Sequence, residues 1–123
     1  MALTLKKLSV GLAVLAVPLL SGATLEQWRA RPPRWETISQ RSLVDLEGCL
    51  GSKWAATLSI PMRSMRIERG VSYVNDGGNR DILVDVTDEG DRRVIKLWLR
   101  KFIGITLGAK EQIEKLSSCA NES

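Results

Sequence analysis

Ile82-Leu83-Val84-Asp85-Val86-Thr87-Asp88-Glu89-Gly90-Asp91-Arg92-Arg93-Val94-Ile95-Lys96-Leu97-Trp98-Leu99 is the stretch on which the fold turns. Ile82, Val84 and Val86 alternate with Leu83, Asp85 and Thr87, the two-residue period of a strand with one face inward. Asp88-Glu89-Gly90-Asp91 has the residue types of a tight turn. The return strand runs from Arg92 to about Lys101, with Ile95, Leu97 and Leu99 inward and Val94, Lys96, Trp98 and Arg100 outward.

The same alternation continues upstream. Asn75-Asp76-Gly77-Gly78-Asn79 is a strong turn signal. Before it, Met65 to Tyr73 reads as a strand with Met65, Ile67, Val71 and Tyr73 on one side and Gly70 as a bulge. Before that, Trp54, Ala56, Leu58, Ile60 and Met62 alternate with Ala55, Thr57, Ser59, Pro61 and Arg63, and Pro61 marks an edge or a bend. A helix is expected from Thr37, where Thr37-Ile38-Ser39-Gln40 matches a capping box. Ile38, Leu43, Leu46, Cys49 and Leu50 form its apolar stripe, and Gly48 and Gly51 mark its end. A second helix spans about Leu107 to Ala120, with Ala109, Ile113, Leu116 and Ala120 on one face. The expected architecture is α+β in the order α-β-β-β-β-α. It is a four-stranded antiparallel meander with the N-terminal and C-terminal helices packed on one face.

The N-terminus carries a different message. Lys6 and Lys7 precede the apolar run Leu8–Val17, Pro18 breaks the run, and Ser21-Gly22-Ala23 places small residues at a cleavage site. These are the parts of a secretory signal peptide over 1–23, with cleavage after Ala23. The alternative is a retained membrane anchor over 8–25, which is just long enough to span. Removing 1–23 takes two lysines and no acid, so the formal charge falls from +4 to +2. That balance gives no support to nucleic-acid binding.

Export gives the two cysteines a meaning. Cys49 and Cys119 are the only pair in the chain, and an even count in a small exported domain reads as one disulfide. In the chain-entropy picture a bridge closing so long a loop contributes on the order of 4 kcal/mol.

Residues 24–36 form an Arg/Pro/Trp arm ahead of a single α+β domain over 37–123. In Trp28-Arg29-Ala30-Arg31-Pro32-Pro33-Arg34-Trp35 the prolines favour an extended path. Three arginines between two tryptophans suit an acidic partner or a peripheral membrane contact; the alternative is a linker whose Trp35 folds back on the domain.

Leu46-Glu47-Gly48-Cys49-Leu50 before a meander, then Asp88-Glu89-Gly90-Asp91-Arg92-Arg93-Val94, and a closing helix with Ser118-Cys119-Ala120 resemble small exported proteins of alphaproteobacteria. The resemblance implies the compartment and the layout and no activity. The Trp-Arg-Pro-Pro arm is not part of it.

Candidate chemistry is limited by composition. With no histidine, Ser-His-Asp and Cys-His catalysis and His-ligated metals are excluded. Asp76, Asp81, Asp85, Asp88, Glu89 and Asp91 do not follow calcium-loop spacing, and Arg92 and Arg93 compete for the carboxylates. No catalytic residue, metal ligand or cofactor is expected. The outward sheet face, with Trp98 between Lys96 and Arg100, is the candidate partner surface, together with Trp28, Arg29, Arg31, Arg34 and Trp35 of the arm. The expected function is an exported, periplasmic or secreted, binding or accessory protein for an envelope protein or cell-wall component. The alternatives are a membrane-tethered envelope protein and a small carboxylate-dependent hydrolase.

Overall fold

A computed structural model describes residues 24–75, 81–100 and 108–122. The signal peptide expected over 1–23 lies outside the described residues, as do turn residues 76–80, Lys101 and Leu107. The chain divides into two compact units, Met1–Arg31 and Pro32–Ser123.

In the first unit the described residues form one short helix, α1 (Leu25–Arg29). Thr24 caps it: the Thr24 hydroxyl accepts from the Gln27 N–H at 3.2 Å, and the Thr24 N–H donates to Gln27 Oε1 at 2.8 Å. The stretch 24–36 is therefore not extended throughout, since it opens on a helical turn.

In the second unit, β1 (Trp35–Ser39) is followed by helix α2 (Leu43–Cys49), which continues as a wider helical turn over Leu50–Trp54 and a tight one over Ala55–Thr57. Strands β2 (Met62–Ile67), β3 (Gly70–Asn75), β4 (Ile82–Asp88) and β5 (Arg93–Leu99) come next, and helix α3 (Ala109–Asn121) closes the chain. The sheet is antiparallel in the order β1-β5-β4-β3-β2. The architecture is α+β with five strands, which corrects the expected four.

The difference has three local causes. Thr37-Ile38-Ser39 lies in a strand because Trp35, Thr37 and Ser39 pair with Leu97, Ile95 and Arg93 of β5. β-branched residues suit that pairing, and tertiary contact overrides the helix-start motif. The helix starts six positions later, where the Ser42 hydroxyl accepts from the Asp45 N–H at 3.1 Å. Residues 54–57, expected in a strand, are helical. Leu46, Leu50 and Trp54 recur every four residues and are fully buried as one ridge, with the Trp54 indole N–H donating to Gln112 Oε1 at 2.7 Å. Finally, Met65–Tyr73 is two strands: Glu68-Arg69 forms a two-residue turn, with Arg69 at φ 62°. Gly70 is no bulge; it opens β3 where a Cβ would stand 1.9 Å from the Val86 carbonyl oxygen, so only glycine fits.

The core lies between the sheet and the two helices, as expected. Leu46, Leu50, Trp54, Leu116 and Ala120 meet Val71, Tyr73, Ile82, Val84, Val86, Ile95 and Leu97. The Cys49–Cys119 disulfide ties α2 to α3, with Cα atoms 5.7 Å apart. The last carbonyls of α3 find partners beside it. Ser39 Oγ donates to the Ala120 oxygen at 2.6 Å and the Arg41 guanidinium to the Cys119 oxygen at 2.8 Å. A cation at a helix C-terminus also offsets the helix dipole. Exposed Lys53 and Glu122 pair at 2.6 Å across the same corner, and that bond holds the Glu122 carboxyl below its ordinary range.

Tyr73, the single tyrosine of the chain, stacks edge-on against Trp54 with ring centroids 5.7 Å apart. Burial pushes its phenol up to about 12, the nearby Glu47 carboxylate adds to the rise, and Arg66 opposes it.

Two expectations follow. Reduction, or Cys49→Ser, lowers unfolding stability by about 4 kcal/mol in urea titrations, while intact mass before and after reduction differs by two hydrogens. At alkaline pH, the folded phenol holds its proton above the ordinary tyrosine value of about 10. Its contribution is therefore complete below about pH 10 and is lost as pH rises toward 12. Absorbance at the phenolate band should stay silent until about pH 12 and then rise together with unfolding. Tyr73→Phe should flatten the stability slope in that window.

Candidate functional site

The sheet face turned away from α2 and α3 carries the β4 and β5 residues expected to point outward. It also carries Met65 and Ile67, which do not share the side of Val71 and Tyr73 because the turn at Glu68-Arg69 puts them on separate strands in this register. Register sets them in rows across the strands. One row runs Met65, Ser72, Asp85, Lys96, Glu36, and the next runs Arg63, Val74, Leu83, Trp98. A third runs Ile67, Gly70, Thr87, Val94, Ile38.

This face is less open than alternation alone implies. Leu83, Val74, Val94 and Trp98 are buried, Trp98 at 6% exposure. Strands apolar on both faces read as nearly continuous runs, and Ile82-Leu83-Val84 with Val94-Ile95 and Leu97-Trp98-Leu99 are such runs. Ser72 and Asp85 are buried polar members of one row, and the Asp85 carboxylate accepts from the Ser72 hydroxyl. Lys96, half-buried, stands in register between Asp85 on one side and exposed Glu36 on the other.

The other candidate residues scatter. Arg100 is half-buried and pairs with Asp81 at 3.2 Å. Trp35 lies on the helix side of the sheet, partly buried against the main core, whereas exposed Arg34 immediately precedes β1 and donates its backbone N–H to the Leu97 oxygen at 2.7 Å. Trp28 is buried, Arg29 half-buried and Arg31 exposed; all three belong to the first unit. The structure thus places Lys96 and Trp98 on one face of β5, with Arg100 just past the end of that strand, and Trp35 on the other face.

The acidic turn is occupied by its own neighbours. The Asp88 carboxylate accepts from the Gly90 N–H at 2.9 Å and from the Arg93 guanidinium at 3.2 Å, and these bonds hold its carboxyl below the ordinary range. Glu89 pairs with Arg92 at 3.1 Å. Gly90, at φ 94°, supplies the conformation that the turn requires. Arg93 reaches further, donating to the Gly90 oxygen at 3.2 Å and the Gln40 oxygen at 3.0 Å, so the β4–β5 turn is fastened to the loop before α2. Among the described residues no group of three or more His, Cys, Asp or Glu is placed to hold a metal ion. No described helix is long and apolar enough to cross a membrane.

One feature escaped the sequence reading. Arg63, Arg66 and Arg69 recur every third position and all three are exposed, along β2 and its turn. Their spacing is visible in the sequence, but it matches neither face of a strand, so it carries no periodic signal.

Burial separates supporting residues from contact residues on the second face. Trp98→Ala should cost about 3–5 kcal/mol of unfolding free energy because it empties a buried site. Lys96→Ala should stay within about 0.5 kcal/mol of the parent. Parallel urea titrations of the two variants check the ranking.

Compared with known proteins, the chain matches no protein-family model, no curated protein and no solved structure, and no such comparison indicates an enzyme activity.

Proposed function

We propose that the chain is a small exported protein of binding or accessory type, stapled by one disulfide, that serves an envelope protein or a cell-wall component. The observation that carries this reading is the Cys49–Cys119 bond, which suits an oxidising compartment outside the cytosol. The signal-peptide pattern over 1–23 points the same way.

The side chains favour binding over catalysis. Asp81, Asp85, Asp88 and Glu89 each have a neighbour that uses the carboxylate: Arg100, Ser72, Gly90 with Arg93, and Arg92. Two opposed carboxylates with room for a sugar ring between them are not assembled by these pairs. The surface on offer is instead the sheet's second face, with Lys96 and Glu36 at its accessible row, and the arginines of residues 24–36.

The test starts with the chain expressed in a Gram-negative host and recovered from the periplasm. Its intact mass should place the N-terminus at Thr24, with no thiol free to label. Immobilised on a surface and challenged with solubilised envelope, the parent should retain a partner that Lys96→Glu or an Arg31→Glu/Arg34→Glu double variant releases at least tenfold faster. A chain found only in the cytosol with both thiols labelled overturns the reading.

A further inference from the structure

We propose that β2 is a docking strand, and that its occupant is an extended acidic peptide segment that adds to the sheet beyond β2. The site is the backbone edge of β2 and not Lys96 or Glu36, although Arg63 also ends one row of the second sheet face.

The backbone makes the first half of the argument. β2 is the last strand of the sheet on its side. The two-residue turn Glu68-Arg69 makes Ile67 and Gly70 a mutually bonded pair, and the alternation runs back through Met65–Ser72 and Arg63–Val74. The N–H and C=O groups of Met62, Ser64 and Arg66 therefore face away from β3. No backbone group in the described turns, loops or caps bonds to them. Arg63, Ser64 and Arg66 are exposed, so the outer side of the strand is open. The opposite edge, β1, is engaged at its end by α3 through Ser39 and Ala120.

Charge makes the second half and selects the occupant. Arg63 lies on one face of β2, and Arg66, three positions on, lies on the other. Among the described residues Arg63 and Arg69 have no ion-pair partner; Arg66 chelates Glu47, with 72% of its side chain still exposed. A strand with carboxylates three apart would place one opposite each of Arg63 and Arg66, because side chains three apart fall on opposite faces. A second copy of β2 would instead bring four arginines together, so self-pairing is opposed. At the start of β2 a shallow groove of about 570 Å³, lined in part by Leu58, Ile60, Pro61 and Met62, offers an apolar seat for a peptide side chain. Main-chain bonds would supply affinity, and the arginines with the groove would supply selectivity.

The experiment uses the oxidised chain as the expressing cell delivers it, and a fluorescent peptide, Thr-Val-Glu-Val-Thr-Glu-Val-Thr, read by anisotropy. The expected result is saturable binding, weakened at least tenfold by Arg63→Glu and by Ser64→Pro. Melting temperature and disulfide content should stay near the parent's in both variants. Glu36→Lys on the other edge should leave binding within twofold. A peptide with both Glu replaced by Lys should fail to bind, and so should the Glu peptide with alternate backbone amides methylated. Equal binding of the methylated peptide, or of anionic phosphatidylglycerol vesicles through the same arginines, would show charge attraction without strand pairing and overturn the proposal. So would no binding at all, or a homodimer by light scattering that Ser64→Pro dissolves. Retention of an envelope partner that depends on Lys96 is unaffected by any of these outcomes, so the two readings fail separately.

Discussion

Cys49 and Cys119 stand 70 positions apart, and their bond holds the C-terminal ends of α2 and α3 together over one face of the sheet. Much of the corner around that bond is built to keep it in place. Ser39 at the end of β1 and Arg41 just after it bond the last carbonyls of α3, and Lys53 reaches Glu122. One covalent link and a few directed bonds thus join the first strand, both helices and the end of the chain. In a domain of this size the apolar core alone leaves a small margin of stability, so closing a long loop in the unfolded state has a large relative effect.

Beneath that corner, Trp54 gives the sheet and the helices a common centre. Its indole touches Tyr73 of β3 edge-on and bonds Gln112 of α3. Reaching that place requires the chain after Cys49 to continue as helix through Leu50–Trp54, and it prevents Trp54 from starting a strand. The consequence is felt at the sheet edge. With Trp54–Thr57 helical, Met62–Ile67 becomes the outermost strand, and its outer backbone groups face no described strand.

Charge is distributed accordingly. The carboxylates near the β4–β5 turn are spent on local structure, capping Gly90 and binding Arg92 and Arg93. Among the described residues Arg63 and Arg69 have no ion-pair partner, and Arg69 sits in a left-handed conformation that a glycine would adopt more readily. These two cations, without an ion pair among the described residues, lie at the edge strand on which the proposed docking of an extended acidic chain rests. On the sheet's second face Leu83 and Trp98 are buried, and Lys96, Glu36 and Arg63 are among its accessible polar groups.

Strands β4 and β5, the turn between them, the closing helix and the pairing of the two cysteines could all be read from the chain. Each is written in local period or in elimination: alternation in Ile82–Val86 and Ile95–Leu99, glycine at a turn, and two cysteines with no others to choose. Residues 37–39 and 54–57 could not be read this way, because their local signals fit two structures. A capping motif overlies β-branched Thr37 and Ile38, and a two-residue alternation overlies a four-residue one at Trp54. Long-range partners decided both: β5 drew Thr37–Ser39 into the sheet, and Tyr73 with Gln112 drew Trp54 into the core. The exposed arginine edge was likewise decided only in three dimensions, since which strand ends a sheet depends on every pairing before it.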